Sequence, residues 1–303
     1  MPSSTMTEAS ATSSLWREYL VLSKPRISVM VLFTVAVAAL VSLPAAVDAD
    51  VWNVVHAMIG LLLVSASGCA LNQYLERYVD WMMPRTAKRP LPDERLSSLQ
   101  VSVFGAVTFG AGIAWLLALV NWQTAVVAGV SWVLYVWIYT PLKRLTWLNT
   151  YVGAVAGALP VLVGSTAAAS GQITWPAFWL FAVLYVWQFP HFMAIAWLYR
   201  EDYVQGGVKM ASTVDKSGRL VGWHAVLFAV LLIPVSVIGM WPDQLAGWLM
   251  LAAVIALGTW YLWASVRFAQ QVDETRARSL FRVSLLYLPV YLVALSIASL
   301  IQQ

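Results

Sequence analysis

Downstream of about residue 27 the chain is a series of apolar runs broken by short polar stretches. A membrane-spanning helix needs about 20 apolar residues. Nine runs meet that requirement, at roughly 27–44, 51–71, 99–119, 123–140, 148–168, 175–198, 221–240, 244–266 and 280–301. The connections leave little room for a separate soluble domain. The pattern therefore predicts an all-α polytopic membrane protein. A single domain over residues 16–303 follows a Ser/Thr-rich tail, 1–15, expected to be disordered.

Composition agrees with that pattern. The chain is 61% hydrophobic and 11% charged, with a mean hydropathy of +0.74, whereas soluble domains carry about a quarter charged residues. Most of it must face lipid or other helices. Charge then adds an orientation, because Lys and Arg collect in cytoplasmic loops. All 18 basic residues fall on one side of the nine-helix arrangement, and the opposite loops hold only Asp48, Asp50 and Asp243. The N-terminus is thus expected in the cytoplasm and the C-terminus outside. Topology and an anionic lipid surface account for the net charge of +4, so no nucleic-acid partner is implied. Cys69 is the sole cysteine, which excludes an intramolecular disulfide and a Cys-based metal site. The tail lacks both a basic leader region and an Arg-rich amphipathic pattern, which points to a bacterial plasma (inner) membrane.

Two acidic clusters stand out at helix ends. In "NQYLERYVDWMMPRTAKRP", residues 72–90, the side chains of Asn72, Glu76 and Asp80 recur at i, i+4 and i+8, on one face of a helix. Carboxylates near a helix C-terminus oppose its dipole unless a cation intervenes. "WLYREDYVQGGVKM" repeats the theme with Glu201 and Asp202. Basic residues follow each cluster: Arg85, Lys88 and Arg89 in one loop, Lys209, Lys216 and Arg219 in the other. Hard oxygen ligands favour Mg²⁺, which typically binds through one or two carboxylates plus substrate phosphates. The pattern points to a metal-bridged isoprenoid diphosphate, its head group at the cytoplasmic rim and its tail among the helices. Metal and cations would stabilise the departing diphosphate, and nearby rings, among them Tyr139, Tyr199 and Tyr203, could stabilise a carbocation. An ordinary interfacial aromatic belt is the alternative explanation of such rings.

These residues resemble the motifs of the intramembrane UbiA-type prenyltransferases. "NQYLERYVDWMMPRTAKRPLP" is similar to the family's first motif, and "SKPRIS", "YTPLKRLTWLNTYVGAVAGALP" and "WQFPHFMAIAWLYREDY" are similar to its heme-acting branch. The resemblance implies a nine-helix bundle. It implies Mg²⁺ and diphosphate binding by Asn72, Glu76 and Asp80, joined by Glu201 and Asp202. Arg85, Lys88, Arg89, Lys143, Arg144 and Lys209 would be phosphate-side cations. In the implied reaction farnesyl diphosphate alkylates a vinyl group of heme B and water completes the addition. A downstream heme A synthase or terminal-oxidase assembly factors would be partners. The best alignment puts Tyr199 and Tyr203 where the wider family carries two Asp residues.

Among the three histidines, His191 lies inside an apolar helix one residue after Pro190. A polar residue there is a functional candidate by default, and His191 is expected on the heme side, as a contact or axial ligand. A hydrogen bond to backbone or to a neighbouring helix is the alternative. His56 and His224 are expected to be structural. Asn149, beside Gly153 and Gly157, could be a polar substrate contact or part of close helix packing. Two rival functions remain open at this point: a related prenyltransferase acting on an aromatic or quinone precursor, and a transporter.

Overall fold

The computed structural model describes residues 15–43, 51–238 and 245–302, and every element among them is helical. The predicted tail before residue 15, and Asp48, Asp50 and Asp243, lie outside the described residues. Nine described helices are long and apolar enough to cross a membrane. They are α1 (Pro25–Ser42), α2 (Val51–Met82), α3 (Ser98–Leu119), α4 (Trp122–Leu145), α5 (Asn149–Ala168), α6 (Trp175–Leu198), α7 (Arg219–Ile238), α8 (Leu245–Gln270) and α9 (Glu274–Gln302). Large apolar side chains such as Val103, Val107, Leu117, Leu227, Leu286 and Val290 point outward from the bundle. A water-soluble surface would not carry so much exposed apolar area.

Two helices outrun the apolar segments that announce them. α2 continues past its apolar run to Met82, as the helical spacing of Asn72, Glu76 and Asp80 predicts, and α9 begins at Glu274 rather than about 280. Hydropathy marks where lipid ends, and a helix can continue into the polar zone. At 1.5 Å per residue, the 32 residues of α2 span about 48 Å, well beyond the roughly 30 Å hydrocarbon layer. That overhang carries Asn72, Glu76 and Asp80.

α4 and α5 are irregular. Residues Leu134–Tyr139 of α4 form a π-helical turn, in which the N–H of Thr140 donates to the carbonyl of Tyr135, five residues back. α5 breaks at Leu159 into Asn149–Ala158 and Pro160–Ala168, because Pro160 has no N–H to continue the ladder. α5 is the most enclosed span, 61% buried against 22% for α3 and α4, so it forms the centre of the bundle. Its second half packs on α1, with Gly164 against the carbonyl of Val35. α2 crosses α3 at Gly60 and Gly112.

The larger core cluster joins α5 to α9 and buries Tyr261, Tyr287 and Tyr291. Buried phenols need partners. Tyr261 donates to the carbonyl of Trp187 at 3.2 Å, and Tyr287 shares a 2.7 Å hydrogen bond with Ser236. A smaller cluster of Val79, Met83, Ala196, Val208 and Met210, flanked by Tyr203, clamps the overhang of α2 to the segment after α6. Gly206 permits the contact: a Cβ there would meet the side chains of Met83 and Val79 at 3.0 and 3.1 Å. The two acidic stretches, more than a hundred residues apart, are thereby brought together.

Candidate functional site

On the overhang of α2, Asn72 and Asp80 are buried and Glu76 is nearly so. Both hydrogens of the Asn72 amide are committed, to Glu76 Oε2 at 3.0 Å and to Thr140 Oγ1 at 3.0 Å. Thr140 can accept because its own hydrogen goes to the Tyr135 carbonyl at 2.8 Å. The π turn of α4 thus orients Asn72 so that Oδ1 is its remaining acceptor. Glu76 Oε1 pairs with Lys143 Nζ at 2.8 Å, and that ammonium lies 4.5 Å from the centre of the Tyr139 ring. Tyr139 reaches this position because Gly153 lacks a Cβ, which would sit 2.7 Å from the ring. Arg89 binds Asp80 Oδ2 at 2.6 Å, while Asp80 Oδ1 is buried with no hydrogen-bond partner. Thr86 donates to the Asp80 carbonyl at 2.8 Å, closing the turn that brings Arg89 back to the helix.

The second cluster enters through Arg85. Its guanidinium lies 3.6 Å from Asp202, 4.3 Å from the centre of the Tyr199 ring and 5.9 Å from that of Tyr203. Burial pushes the Tyr203 phenol above its ordinary pKa, which keeps it neutral at working pH. Glu201 points away from the cluster. Its side chain is 82% exposed and its nearest cation is Arg200, at 3.5 Å. Of the five expected metal ligands, the structure gathers Asn72, Glu76 and Asp80 with Asp202 alongside, but not Glu201. Adjacent helical residues point about 100° apart, so Glu201 and Asp202 cannot both face inward. Glu201→Ala is therefore expected to leave turnover within about threefold of wild type, and Asp202→Ala to lower it at least about tenfold, in a membrane assay of prenyl transfer.

The remaining cations divide. Arg85, Arg89 and Lys143 face the cluster, whereas Lys88, Arg144 and Lys209 are exposed. Lys209 contributes backbone: its N–H donates to the Lys143 carbonyl, and its carbonyl accepts from Asn149 Nδ2, both at 2.7 Å. Asn149 also donates to the Thr146 carbonyl at 2.6 Å. It serves as a clasp that holds the 206–210 segment over the start of α5. His191 is deeper in the bundle, hydrogen-bonded through Nδ1 to Ser284 Oγ at 2.7 Å and stacked between Trp187 and Phe281. Ser284 gives its own hydrogen to the Phe281 carbonyl, so His191 is the donor of that pair. His224 uses both ring nitrogens, on the Leu220 carbonyl and the Tyr151 hydroxyl, as a structural histidine would.

Sequence reasoning did not single out Thr140, although "YTP" places it directly before a proline. Thr140→Val removes the acceptor that holds Asn72 and is expected to raise the Mg²⁺ concentration for half-maximal activity about tenfold. Thr140→Ser, which keeps the hydroxyl, should stay within about twofold. A Mg²⁺ titration of activity in membranes separates the two.

No three His, Cys, Asp or Glu side chains converge as a metal cage among the described residues. Mg²⁺ does not require one, since it binds through one or two carboxylates while keeping waters and phosphate oxygens. The orphaned Oδ1 of buried Asp80, the Oδ1 of Asn72 and the carboxylate of Glu76 are the hard oxygen donors such an ion takes.

Comparison with known proteins identifies the family and the fold. Residues 31–286 match the model of the UbiA prenyltransferase family. The chain is 39% identical to a protoheme IX farnesyltransferase of Solibacter usitatus over 283 residues, 90% of this chain and 96% of that protein. It is 39% identical to a second, from Salinibacter ruber, covering 91% and 95%. Among solved structures, the fold is similar to that of digeranylgeranylglyceryl phosphate synthase, with a TM-score of 0.75, 15% identity and coverage of 94% and 98%. It is also similar to a UbiA homologue from Archaeoglobus fulgidus bound to GPP and Mg²⁺, with a TM-score of 0.66, 14% identity and coverage of 92% and 99%. At those identities the structural likeness concerns the fold alone.

Proposed function

Since the chain belongs to the UbiA prenyltransferase family, a family of multi-pass membrane enzymes, we propose that it transfers a farnesyl group from farnesyl diphosphate to a vinyl group of heme B. Water adds in the same reaction, giving hydroxyethylfarnesyl heme O. The basic residues around the site support a position at the cytoplasmic face of a bacterial inner membrane, with the N-terminus on that side. The names of the relatives support the heme acceptor. The observation that carries the chemistry is the buried row of Asn72, Glu76 and Asp80 interlocked with Lys143 and Arg89.

Asn72 Oδ1, Glu76 and Asp80 would hold Mg²⁺, with Asp202 alongside. When bound, Mg²⁺ supplies positive charge to the diphosphate leaving group. Lys143 and Arg89, which pair with Glu76 and Asp80 in the structure, turn to phosphate oxygens as the substrate enters, and Arg85 adds a third cation. With its charge neutralised, the diphosphate departs with the electron pair of the allylic C–O bond. Tyr139, Tyr199 and Tyr203 present π faces toward the resulting cation, an interaction of about 2 kcal/mol or more in a dry site. The heme vinyl CH₂ forms the new C–C bond, and the cation left beside the macrocycle takes up water and loses a proton.

His191 belongs on the heme side. Its Nδ1–H is committed to Ser284, so Nε2 keeps the lone pair that a heme iron takes. Incubating membranes with heme B, farnesyl diphosphate and Mg²⁺, followed by mass spectrometry, tests the proposal. Hydroxyethylfarnesyl heme is the expected product. No such product, with farnesylation of 4-hydroxybenzoate instead, would show that the acceptor is an aromatic acid.

A further inference from the structure

Lys24 immediately precedes α1 and adopts a left-handed backbone conformation, φ 50° and ψ 60°. Glycine fills that region at no cost, and a lysine does not. Pro25 restricts the choice further, because a residue before proline favours extended backbone. Something in the surroundings must hold Lys24 in place. Part of it is visible: Gln73 Nε2 donates to the Leu22 carbonyl at 3.0 Å and to the Cys69 carbonyl at 3.4 Å. The chain just ahead of Lys24 is therefore pinned to α2 between Cys69 and Gln73. Cys69, Asn72, Gln73 and Glu76 follow one another at helical spacing on one face of α2. That anchor sets Lys24 beside the stretch of α2 that carries Asn72 and Glu76.

The charged groups around its amine are those of the site. Burial pulls the Lys24 pKa below the ordinary lysine range, and Arg89 and Lys143 act in the same direction, while Glu76 opposes them. Each nearby carboxylate already has a cation: Glu76 has Lys143, Asp80 has Arg89 and Asp202 has Arg85. Lys24 forms no ion pair and no side-chain hydrogen bond among the described residues. A half-buried ammonium without a counter-ion is an unfavourable arrangement that an arriving anion relieves.

We infer that Lys24 is a further diphosphate-binding residue, its ammonium the surplus cation that takes a phosphate oxygen of the prenyl diphosphate. This rests on the proposed prenyl transfer. Glu76, Asp80 and Asp202 are matched by Lys143, Arg89 and Arg85, which leaves Lys24 as the cation with no carboxylate of its own. The αL backbone is then the strain that aims the side chain inward.

Three full-length variants in membranes test this, with KM measured separately for farnesyl diphosphate and heme B. Lys24→Met is expected to raise KM for the diphosphate at least about tenfold and leave KM for heme within about twofold. Lys24→Arg keeps the charge and should recover to within about fivefold of wild type. Lys24→Gly relieves the backbone and removes the amine. It should insert as well as wild type yet match Lys24→Met in KM. An unchanged KM for farnesyl diphosphate in both Lys24→Met and Lys24→Gly would overturn the inference, as would a rise confined to the KM for heme, which would mark the amine as a partner of the acceptor's carboxylates. Wild-type turnover in the same membranes is the control, since its absence would count against the proposed reaction and not against Lys24.

Discussion

Asp80→Asn should lower prenyl transfer by about 10²–10³-fold while the protein inserts normally. The substitution keeps the volume of a fully buried side chain but removes its charge and replaces one acceptor oxygen by an NH₂ donor. The charge was shared by two oxygens with different tasks: Oδ1, buried and free of any hydrogen-bond partner as expected of an oxygen reserved for a cation, and Oδ2, paired with Arg89 at 2.6 Å. Asn keeps one neutral oxygen, which can serve only one of the two, and its amide NH₂ repels the other partner. Both oxygens bear on the departing diphosphate, so kcat should fall more than KM rises. Steady-state kinetics on membranes with matched protein levels makes the comparison, and near-wild-type kcat in Asp80→Asn would remove Asp80 from the metal site.

Gly164→Val should be the most damaging single change to the fold. A Cβ at Gly164 would collide with the carbonyl oxygen of Val35 and lie 3.1 Å from both Ala38 Cβ and the amide of Ala39. These are mostly backbone atoms of α1, so no side chain can turn aside and the two helices must separate. Overpacking of this kind costs about 1–3 kcal/mol, and a rigid backbone neighbour sets this case at the upper end. Gly110 in α3 is the matched comparison, since a Cβ there meets nothing within 4 Å. Gly110→Ala is expected to be neutral or to stabilise by about 0.5–1 kcal/mol through helix propensity. Thermal unfolding of the detergent-solubilised variants should show a large drop for Gly164→Val and none for Gly110→Ala.

Much of the architecture was legible because lipid imposes a simple rule. Every spanning segment must be apolar over a fixed length, and α6 began and ended where its apolar run did. The early start of α9 at Glu274 was not, since hydropathy cannot tell a polar helical turn from a loop, whereas the overhang of α2 was betrayed by the polar row that continues its helix. The row of Asn72, Glu76 and Asp80 could be read from i, i+4 spacing alone, which survives in any regular helix. Glu201 and Asp202 could not be separated in advance. Their facing depends on where α6 ends at Leu198 and the short helix Arg200–Gln205 begins, a break set by packing against Val79 and Met83. Thr140 acquires its role from a π turn that no residue of "LYVWIY" announces, although Pro141 hints at irregular hydrogen bonding. Lys24 was hidden for a similar reason: a lysine gives no local sign that it will take a left-handed conformation.

The central claim is that the acidic row and its cations form one site for a metal-bridged prenyl diphosphate. Titration of the purified protein with an unreactive thio-analogue of farnesyl diphosphate, with and without Mg²⁺, tests it most directly. Wild type should bind the analogue at least about tenfold more tightly with Mg²⁺ present. A Glu76→Gln/Asp80→Asn double variant should lose that enhancement while keeping its thermal stability. Equal Mg²⁺ enhancement in wild type and the double variant would contradict the account.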